Sequence, residues 1–207
     1  MPVDLLTLAA FVPAALALNL TPGADMMFCL GQGLRGGPRA ALAADAGIAL
    51  GVLVHGALAG LGLAALIAGR PWLFDAIRWA GVAYLLWLAA ATLRQGPAAP
   101  DLPAVAPARA FREALAVNLT NPKVILFVLA FLPQFIDPAN GAVLAQFVTL
   151  GAVLALGGLI VNGAVGVFAG GARRLLTGSR AVQRGLGYVT AAIFTGLALR
   201  LALLQRS

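Results

Sequence analysis

Six long apolar stretches, separated by short charged segments, account for most of the chain. A transmembrane helix needs about 20 mostly apolar residues, and each stretch reaches that length. Charges and turn signals place the stretches near residues 5–30, 40–68, 72–93, 112–136, 142–171 and 185–204. Charged residues make up 10% of the 207 residues, whereas a soluble domain carries about 25%. We therefore predict an all-α, polytopic membrane protein with six transmembrane helices.

A short polar motif occurs in two of these stretches. Asn19-Leu20-Thr21 returns as Asn118-Leu119-Thr120, and in each copy a proline, Pro22 or Pro122, follows within two residues of the threonine. Polar residues and proline both disfavour an uninterrupted buried helix. Because the motif lies in the first and fourth stretches, it predicts that helices 1 and 4 are broken at equivalent points.

A segment rich in proline and alanine, residues 94–112, divides the six spans into three and three, and its composition favours an extended linker. Because three is an odd number, the second half must enter the membrane from the side opposite to the first. Inverted repeats of this kind are common in secondary transporters. We predict one transmembrane domain over residues 1–207, made of a three-helix repeat at 1–93 and a second at 113–207.

The distribution of arginine predicts the orientation of the chain. The segments on one side carry nine arginines: Arg35, Arg39, Arg94, Arg109, Arg112, Arg173, Arg174, Arg180 and Arg184. The other side carries Arg70, Arg78, Arg200 and Arg206. Positively charged residues are enriched on the cytoplasmic side of a membrane. We therefore place the linker in the cytoplasm and both termini outside it.

Each proline removes one helical hydrogen bond and frees a carbonyl, that of Leu18 before Pro22 and that of Asn118 before Pro122. Within a bilayer, a freed carbonyl must be buried in protein or line a wet cavity. One span descends from outside and the other rises from inside. With a rise of about 1.5 Å per residue, the two breaks fall at a similar depth, and we expect them to face each other across a cavity.

Two opposite charges, Asp25 and Lys123, lie just after the two breaks. Ionisable groups at bilayer depth normally face a partner or a cavity. A zwitterion would suit this pair, with its ammonium on Asp25 and its carboxylate on Lys123. The predicted binding residues are Asn19, Thr21, Pro22, Gly23, Asp25, Asn118, Thr120, Asn121, Pro122 and Lys123. Two alternatives stay open: Asp25 and Lys123 pair with each other, and the Asn and Thr side chains only cap the broken helices.

Three further polar residues lie within the predicted spans. His55 and Asp25 are candidates for carrying a proton, since histidine titrates near physiological pH, but a lone intramembrane histidine also serves as a packing donor. Asp45 belongs either to a vestibule or, in the interpretation we prefer, to the membrane interface as a charge. Asn162 either bonds across helices, which is the preferred interpretation, or contacts the solute.

Several function classes are disfavoured. Cys29 is the only cysteine, so the chain holds no disulfide or dithiol pair of its own. The arginines are spread over several loops rather than one aromatic-lined face, so we predict no nucleic-acid partner. No metal, cofactor or catalytic constellation is evident, and we predict a protein that is not an enzyme. An ion or metal carrier of related architecture is the alternative. Glycine spacings that allow close helix packing leave a homo-oligomer open.

Three long segments carry a family resemblance: "TPGADMMFCLGQGLRGGPRAALAADAGIALGVLVH", "AGVAYLLWLAAATLR" and "NLTNPKVILFVLAFLPQFIDP". They resemble the lysine exporter and homoserine/threonine-resistance superfamily (LysE/RhtB) of bacterial inner-membrane amino-acid exporters. With the closing "GLGYVTAAIFTGLALRLAL", the resemblance covers nearly the whole chain. Its most specific parts are the TPG-x-D, NPK and FLPQF segments.

The resemblance implies export of amino acids or close derivatives from the cytoplasm, driven by the proton gradient, across the bacterial cytoplasmic membrane. It also implies that Pro22, Gly23 and Asp25 carry the first motif and that residues 121–123 carry the second. One residue departs from the family pattern, because Ala24 stands where members commonly have a second proline. The first break is therefore expected to be milder, and the identity of the amino acid stays open.

Overall fold

The computed structural model describes residues 2–69 and 106–169, together with isolated helical residues between 79 and 90 and between 184 and 202. The predicted spans at 72–93 and 185–204 lie largely outside the described residues. So do most of the linker and the segment 172–184 that was predicted to join the last two spans.

The described part of the chain is helical and contains no β-strand. Its α-helices are α1 (Leu5–Leu20), α2 (Ala24–Gly69), α3 (Pro107–Leu119), α4 (Pro122–Ala130) and α5 (Val143–Val167). Two short 3-10 helices, Leu132–Phe135 and Pro138–Asn140, lie between α4 and α5. The predicted all-helical class is thus confirmed for the described residues.

A sharp bend divides α2 into a first arm, residues 24–36, and a second arm, residues 38–69. The bend is at Gly37, whose φ of 73° and ψ of −175° lie in a region that favours glycine. Pro38 follows directly and fixes the start of the second arm. The bend lies within the segment 35–39, which was predicted to separate the first two spans.

The first and fourth predicted spans are both interrupted at the repeated motif. α1 ends at Leu20 and α2 begins at Ala24, while α3 and α4 meet at a bend of 53°. The two threonines end their helices in the same way. Thr21 donates its main-chain N–H to the oxygen of Ala17 over 3.1 Å, and Thr120 donates to that of Ala116 over 3.1 Å. The repeated sequence therefore folds into a repeated helix end.

The two interrupted segments run antiparallel and cross at their breaks. Lys123 contacts Thr21, and Asn118 contacts Asp25, so the partner's residue number falls as the chain advances. The same order holds further along, where the rings of Phe11 and Phe135 pack edge to face with centroids 5.2 Å apart. Opposite chain directions follow from these three contacts.

Small residues allow the second arm of α2 to lie directly against its neighbours. Gly47 faces the main chain of Phe111 so closely that a Cβ atom would overlap it, which brings α3 alongside. On another face, Gly56 lies opposite Gly151 of α5. Close helix approach through small residues is typical of membrane bundles, where interhelical attraction depends on packing.

Two described helical segments, Ala24–Gly62 and Val143–Val167, are long and apolar enough to cross a membrane. The bent pair Pro107–Leu119 and Pro122–Phe135 gives a third if it is counted as one span. α3 begins at Pro107, whereas the fourth span was predicted to begin at residue 112 and 94–112 was predicted to be linker. Proline at the first turn is pre-organised for a helix, which accounts for the earlier start.

Candidate functional site

A small cavity of about 20 Å³ lies where the two breaks cross. Five of the predicted binding residues line it: Asn19, Thr21, Gly23, Asp25 and Lys123. Asn162, predicted as an accessory residue, lines it as well. A cavity of this size has room for about one water molecule. The structure therefore brings both predicted charges to one narrow site.

The ammonium of Lys123 satisfies an opened carbonyl of the first break. Its Nζ donates to the main-chain oxygen of Thr21 over 2.7 Å. Thr21 lies at the non-helical end of α1, so this oxygen is available to a side chain. Gly23 leaves room for the lysine, because a Cβ atom there would stand 3.3 Å from Nζ. The glycine next to Pro22 thus admits the cation as well as permitting the break.

Asp25 is held by the second half of the chain. The Nδ2 of the fully buried Asn118 donates to Asp25 Oδ2 over 2.9 Å. The other carboxylate oxygen, Oδ1, is buried and has no hydrogen-bond partner. Gly51 faces Asn118 so closely that a Cβ atom would overlap the amide. Asp25 therefore keeps one free acceptor at the cavity.

His55 lies at the second break. Its Nε2 is 3.2 Å from the main-chain oxygen of Asn118, the carbonyl that Pro122 cannot bond. When the neutral ring carries its hydrogen on Nε2, it donates to this oxygen. This contact supports the interpretation of His55 as a packing donor.

Asp25 and Lys123, which are both described, do not form an ion pair with each other. Each side chain bonds a different partner. The two charges line the same cavity without closing it. Direct pairing, the alternative left open above, is therefore not the arrangement of this conformation.

The remaining Asn and Thr residues divide into caps and tertiary contacts. Thr21 and Thr120 each bond a carbonyl four residues earlier, over 2.6 and 2.8 Å. Asn121 caps α4 by accepting the N–H of Lys123 over 3.0 Å. Asn19 instead reaches α5, where it donates to the oxygen of Leu154 over 3.1 Å.

Two residues of the predicted set point away from the cavity. Thr120 and Pro122 are both exposed, so the structure does not bring them to the site. The equivalent threonine of the first half, Thr21, is 3% exposed and lines the cavity. The two copies of the motif thus end their helices in the same way, but only the first copy places its threonine at the cavity. A repeated motif fixes local geometry and not the direction that a helix faces.

Asp45 is not an interfacial charge, which was the interpretation preferred from the sequence. Its side chain is 1% exposed and packs against Gly163 of α5. Both of its carboxyl oxygens are buried with no hydrogen-bond partner. The cause is the rotation of the second arm of α2, which turns this side chain toward α5.

Sequence reasoning missed the apolar wall of the cavity. It is formed mainly by Leu18, Met26, Ile48, Ala49, Val52, Val124, Leu154, Ala155 and Leu159. The sequence carries no signal for these residues, since apolar side chains of the same types also face lipid throughout the chain. Among the described residues, no group of three His, Cys, Asp or Glu side chains is placed to hold a metal ion.

The structure combines apolar helices with two helix breaks that cross beside Asp25 and Lys123, two charges that do not pair with each other. This combination is typical of one class of membrane protein, the secondary transporters. Discontinuous helices with charged and polar groups at the break are the usual solute sites of secondary transporters. The chain belongs to the LysE type translocator family, whose model matches residues 16–205. The resemblance inferred from the sequence is thereby confirmed.

Named relatives extend this match. A homoserine/homoserine lactone efflux protein of Salmonella typhimurium (strain LT2) is 38% identical over 146 residues, which are 69% of this chain and 70% of that protein. A leucine efflux protein of Enterobacter sp. (strain 638) is 32% identical over 207 residues, 94% of each chain. An uncharacterized membrane protein of Vibrio cholerae is 37% identical over 145 residues, 69% of this chain and 70% of that protein. No solved structure matches the chain.

Proposed function

We propose that the protein exports neutral amino acids from the cytoplasm across the bacterial inner membrane. The observation that carries the proposal is the juxtaposition of Asp25 and Lys123 at one cavity without an ion pair between them. A transporter of this kind is not an enzyme and needs no cofactor. The relatives named as homoserine and leucine efflux proteins support the same solute class.

The two charges match the two ends of a zwitterion. The solute ammonium takes the free Oδ1 of Asp25, which has no partner in this conformation. The solute carboxylate takes Lys123, which gives up its bond to Thr21 in exchange. Charge-assisted hydrogen bonds of this type are stronger than those between neutral groups.

The rest of the cavity selects the solute side chain. Apart from Asp25 and Lys123, the residues lining it are polar amides, a threonine, glycines and apolar side chains. Once the zwitterion has neutralised both charges, no acidic group is left for a basic side chain. A small or apolar uncharged side chain is therefore the expected substrate, and lysine or arginine is disfavoured.

Transport requires a change of shape, because the cavity has room for about one water molecule. We assign the structure to a closed conformation. The close glycine contacts of α2, such as Gly33 against Gly166 and Gly56 against Gly151, are surfaces that separate without leaving large side chains to repack. Alternating access then opens the site first to one side and then to the other.

The antiparallel crossing of the breaks supports a complete inverted repeat of three helices and three. In this proposal residues 1–93 and 113–207 form the two halves and 94–112 the cytoplasmic connection, with both termini outside.

Accessible cysteines test the orientation in a Cys29→Ala background. An impermeant thiol reagent added outside cells should label Asn140→Cys but neither Arg39→Cys nor Arg112→Cys. Labelling of the arginine positions from outside would invert the assignment.

Proton coupling completes the proposal, and Asp25 and His55 are the candidate proton carriers that the sequence alone predicts. The deciding experiment is counterflow in proteoliposomes with labelled leucine, homoserine and lysine, with and without an imposed pH gradient. Leucine and homoserine should exchange, and lysine should not. Asp25→Asn should abolish exchange and Lys123→Met should weaken it, whereas Glu113→Gln, which alters an exposed ion pair with Arg109, should do neither. Normal exchange by both site variants would remove the site assignment.

A further inference from the structure

A second buried carboxyl, that of Asp45, lies outside the set of contacts that hold the two breaks. Its side chain is 1% exposed, and neither carboxyl oxygen has a hydrogen-bond partner. Gly163 faces it from α5 so closely that a Cβ atom there would stand 2.8 Å from Oδ2. Helix packing around this carboxyl is therefore tight.

Among the residues that the structure describes, the titratable groups within electrostatic range of Asp45 carry no positive charge. In that described part of the chain, these groups are Cys29 and Asp25, which lie on the first arm of α2. α5 contains no ionisable residue. α3 packs on the second arm of α2, which carries Asp45. It contains Arg109, Arg112 and Glu113, but Arg112 is exposed and the other two bond each other over 2.7 Å.

An ionised carboxylate without a partner is strongly disfavoured in such surroundings. Burial of a charge is tolerated when it is paired and hydrogen-bonded, and a group that lacks both takes up a proton instead. Asp25, which lies within electrostatic range of Asp45, also disfavours a second negative charge. Burial without a partner therefore favours the protonated form of the Asp45 carboxyl in this closed conformation.

Asp45 lies one helical turn from the solute cavity. Ile48 and Ala49, three and four residues further along the same arm, line the cavity, and one turn advances a helix by about 5.4 Å. On the facing helix, Asn162 lines the cavity and the adjacent Gly163 contacts Asp45. The carboxyl thus occupies the packed α2–α5 interface between the cavity and the bend at Gly37.

We propose that Asp45 is the proton-binding carboxyl that couples solute export to the proton gradient. It is protonated while α2 and α5 are packed together. Separation of these helices on the Gly37 side admits water, and the carboxyl releases its proton there as the site accepts a zwitterion. The proton that Asp45 next binds comes from the opposite side, so a proton moves inward as a solute moves outward. The inference rests on the proposed export function.

Transport measurements separate coupling from solute binding. In proteoliposomes, Asp45→Asn should exchange labelled leucine at equal pH on both sides nearly as fast as the wild type. The same variant should lose leucine accumulation driven by an imposed pH gradient, and Asp45→Glu should restore part of it. Gln32→Met is the matched control, because Gln32 is a buried polar residue of α2 that does not titrate. It should keep the response to the pH gradient.

Infrared difference spectroscopy on the purified protein tests the protonation without any solute. The wild type at neutral pH should show the C=O band of a protonated carboxyl, and this band should be absent from Asp45→Asn while its thermal melting stays cooperative. Failure of the wild type to move leucine or homoserine would count against the export function and leave the band intact. An unchanged band in Asp45→Asn, or a full response of that variant to the pH gradient, would overturn the assignment of Asp45.

Discussion

The ammonium of Lys123 donates a 2.7 Å hydrogen bond to the main-chain oxygen of Thr21, so a side chain of the second half satisfies the helix break of the first. The reverse contact is also present. His55 of the first half lies 3.2 Å from the oxygen of Asn118, at the break of the second. Each break is therefore completed by a basic side chain from the other half, and movement of one half relative to the other must disturb both.

Replacement of Lys123 by methionine removes the donor and keeps most of the side-chain volume. Hydrogen bonds to charged groups contribute about 1.5–3 kcal/mol, and about 1.4 kcal/mol corresponds to a tenfold change in binding. We expect affinity for leucine, measured by the concentration dependence of counterflow, to fall roughly tenfold or more. Arg109→Gln, at an exposed position of α3, is the control, and an unchanged affinity in Lys123→Met would contradict the proposed role.

Gly51 determines the position of Asn118 and through it that of Asp25. A Cβ atom at residue 51 would overlap the amide of Asn118, and overpacking of this kind costs about 1–3 kcal/mol. Gly51→Ala should therefore lower the melting temperature in detergent and reduce transport. Gly62→Ala, on the same arm with open space around it, should change neither. Equal behaviour of the two variants would show that the close contact does not position the amide.

The two equivalent threonines should respond differently to substitution. Thr120 is exposed and bonds carbonyls of its own helix, so Thr120→Val should alter stability by less than about 0.5 kcal/mol and leave transport intact. Thr21 is buried at the cavity, and Thr21→Val should reduce leucine exchange. A larger transport defect in Thr120→Val than in Thr21→Val would place the solute on the other face of the crossing.

The contact of His55 with a main-chain oxygen predicts that a neutral donor can replace the ring. His55→Gln should keep both exchange and the response to a pH gradient, because its amide N–H can reach the carbonyl of Asn118. His55→Leu should destabilise the protein by only about 0.5–1.5 kcal/mol, because the oxygen of Asn118 keeps its bond from the main-chain N–H of Asn121. Loss of the pH response with exchange intact in His55→Gln would instead make histidine the proton carrier.

Loss of the Asn121 cap should weaken α4 and misplace Lys123. The Oδ1 of Asn121 accepts the N–H of Lys123 over 3.0 Å, and removal of such a cap costs about 1 kcal/mol. Asn121→Ala should lower the melting temperature, while Asn121→Ser should preserve more of it, because a serine hydroxyl supplies an uncharged cap acceptor beside Asp25. Thermal melting in detergent measures both variants, and equal melting of Asn121→Ala and the wild type would show that the cap is dispensable.

Much of the local structure followed from the sequence because its causes are local. Pro22 and Pro122 each remove a donor, so the helix interruptions could be predicted at the repeated motif. The bend at Gly37 was signalled by the glycines and proline of residues 35–39, although its φ of 73° was not. The membrane class required only the lengths of the apolar stretches.

Which side chains meet was decided by the tertiary structure. The sequence placed Asp25 and Lys123 after the two breaks, but their partners, Asn118 and the Thr21 carbonyl, depend on the angle at which the interrupted segments cross. The buried position of Asp45 and the exposed position of Thr120 depend on the rotation of each helix about its axis. In a chain this apolar, lipid-facing and protein-facing surfaces have similar composition, so periodicity cannot fix that rotation. Packing between distant small residues fixes it instead.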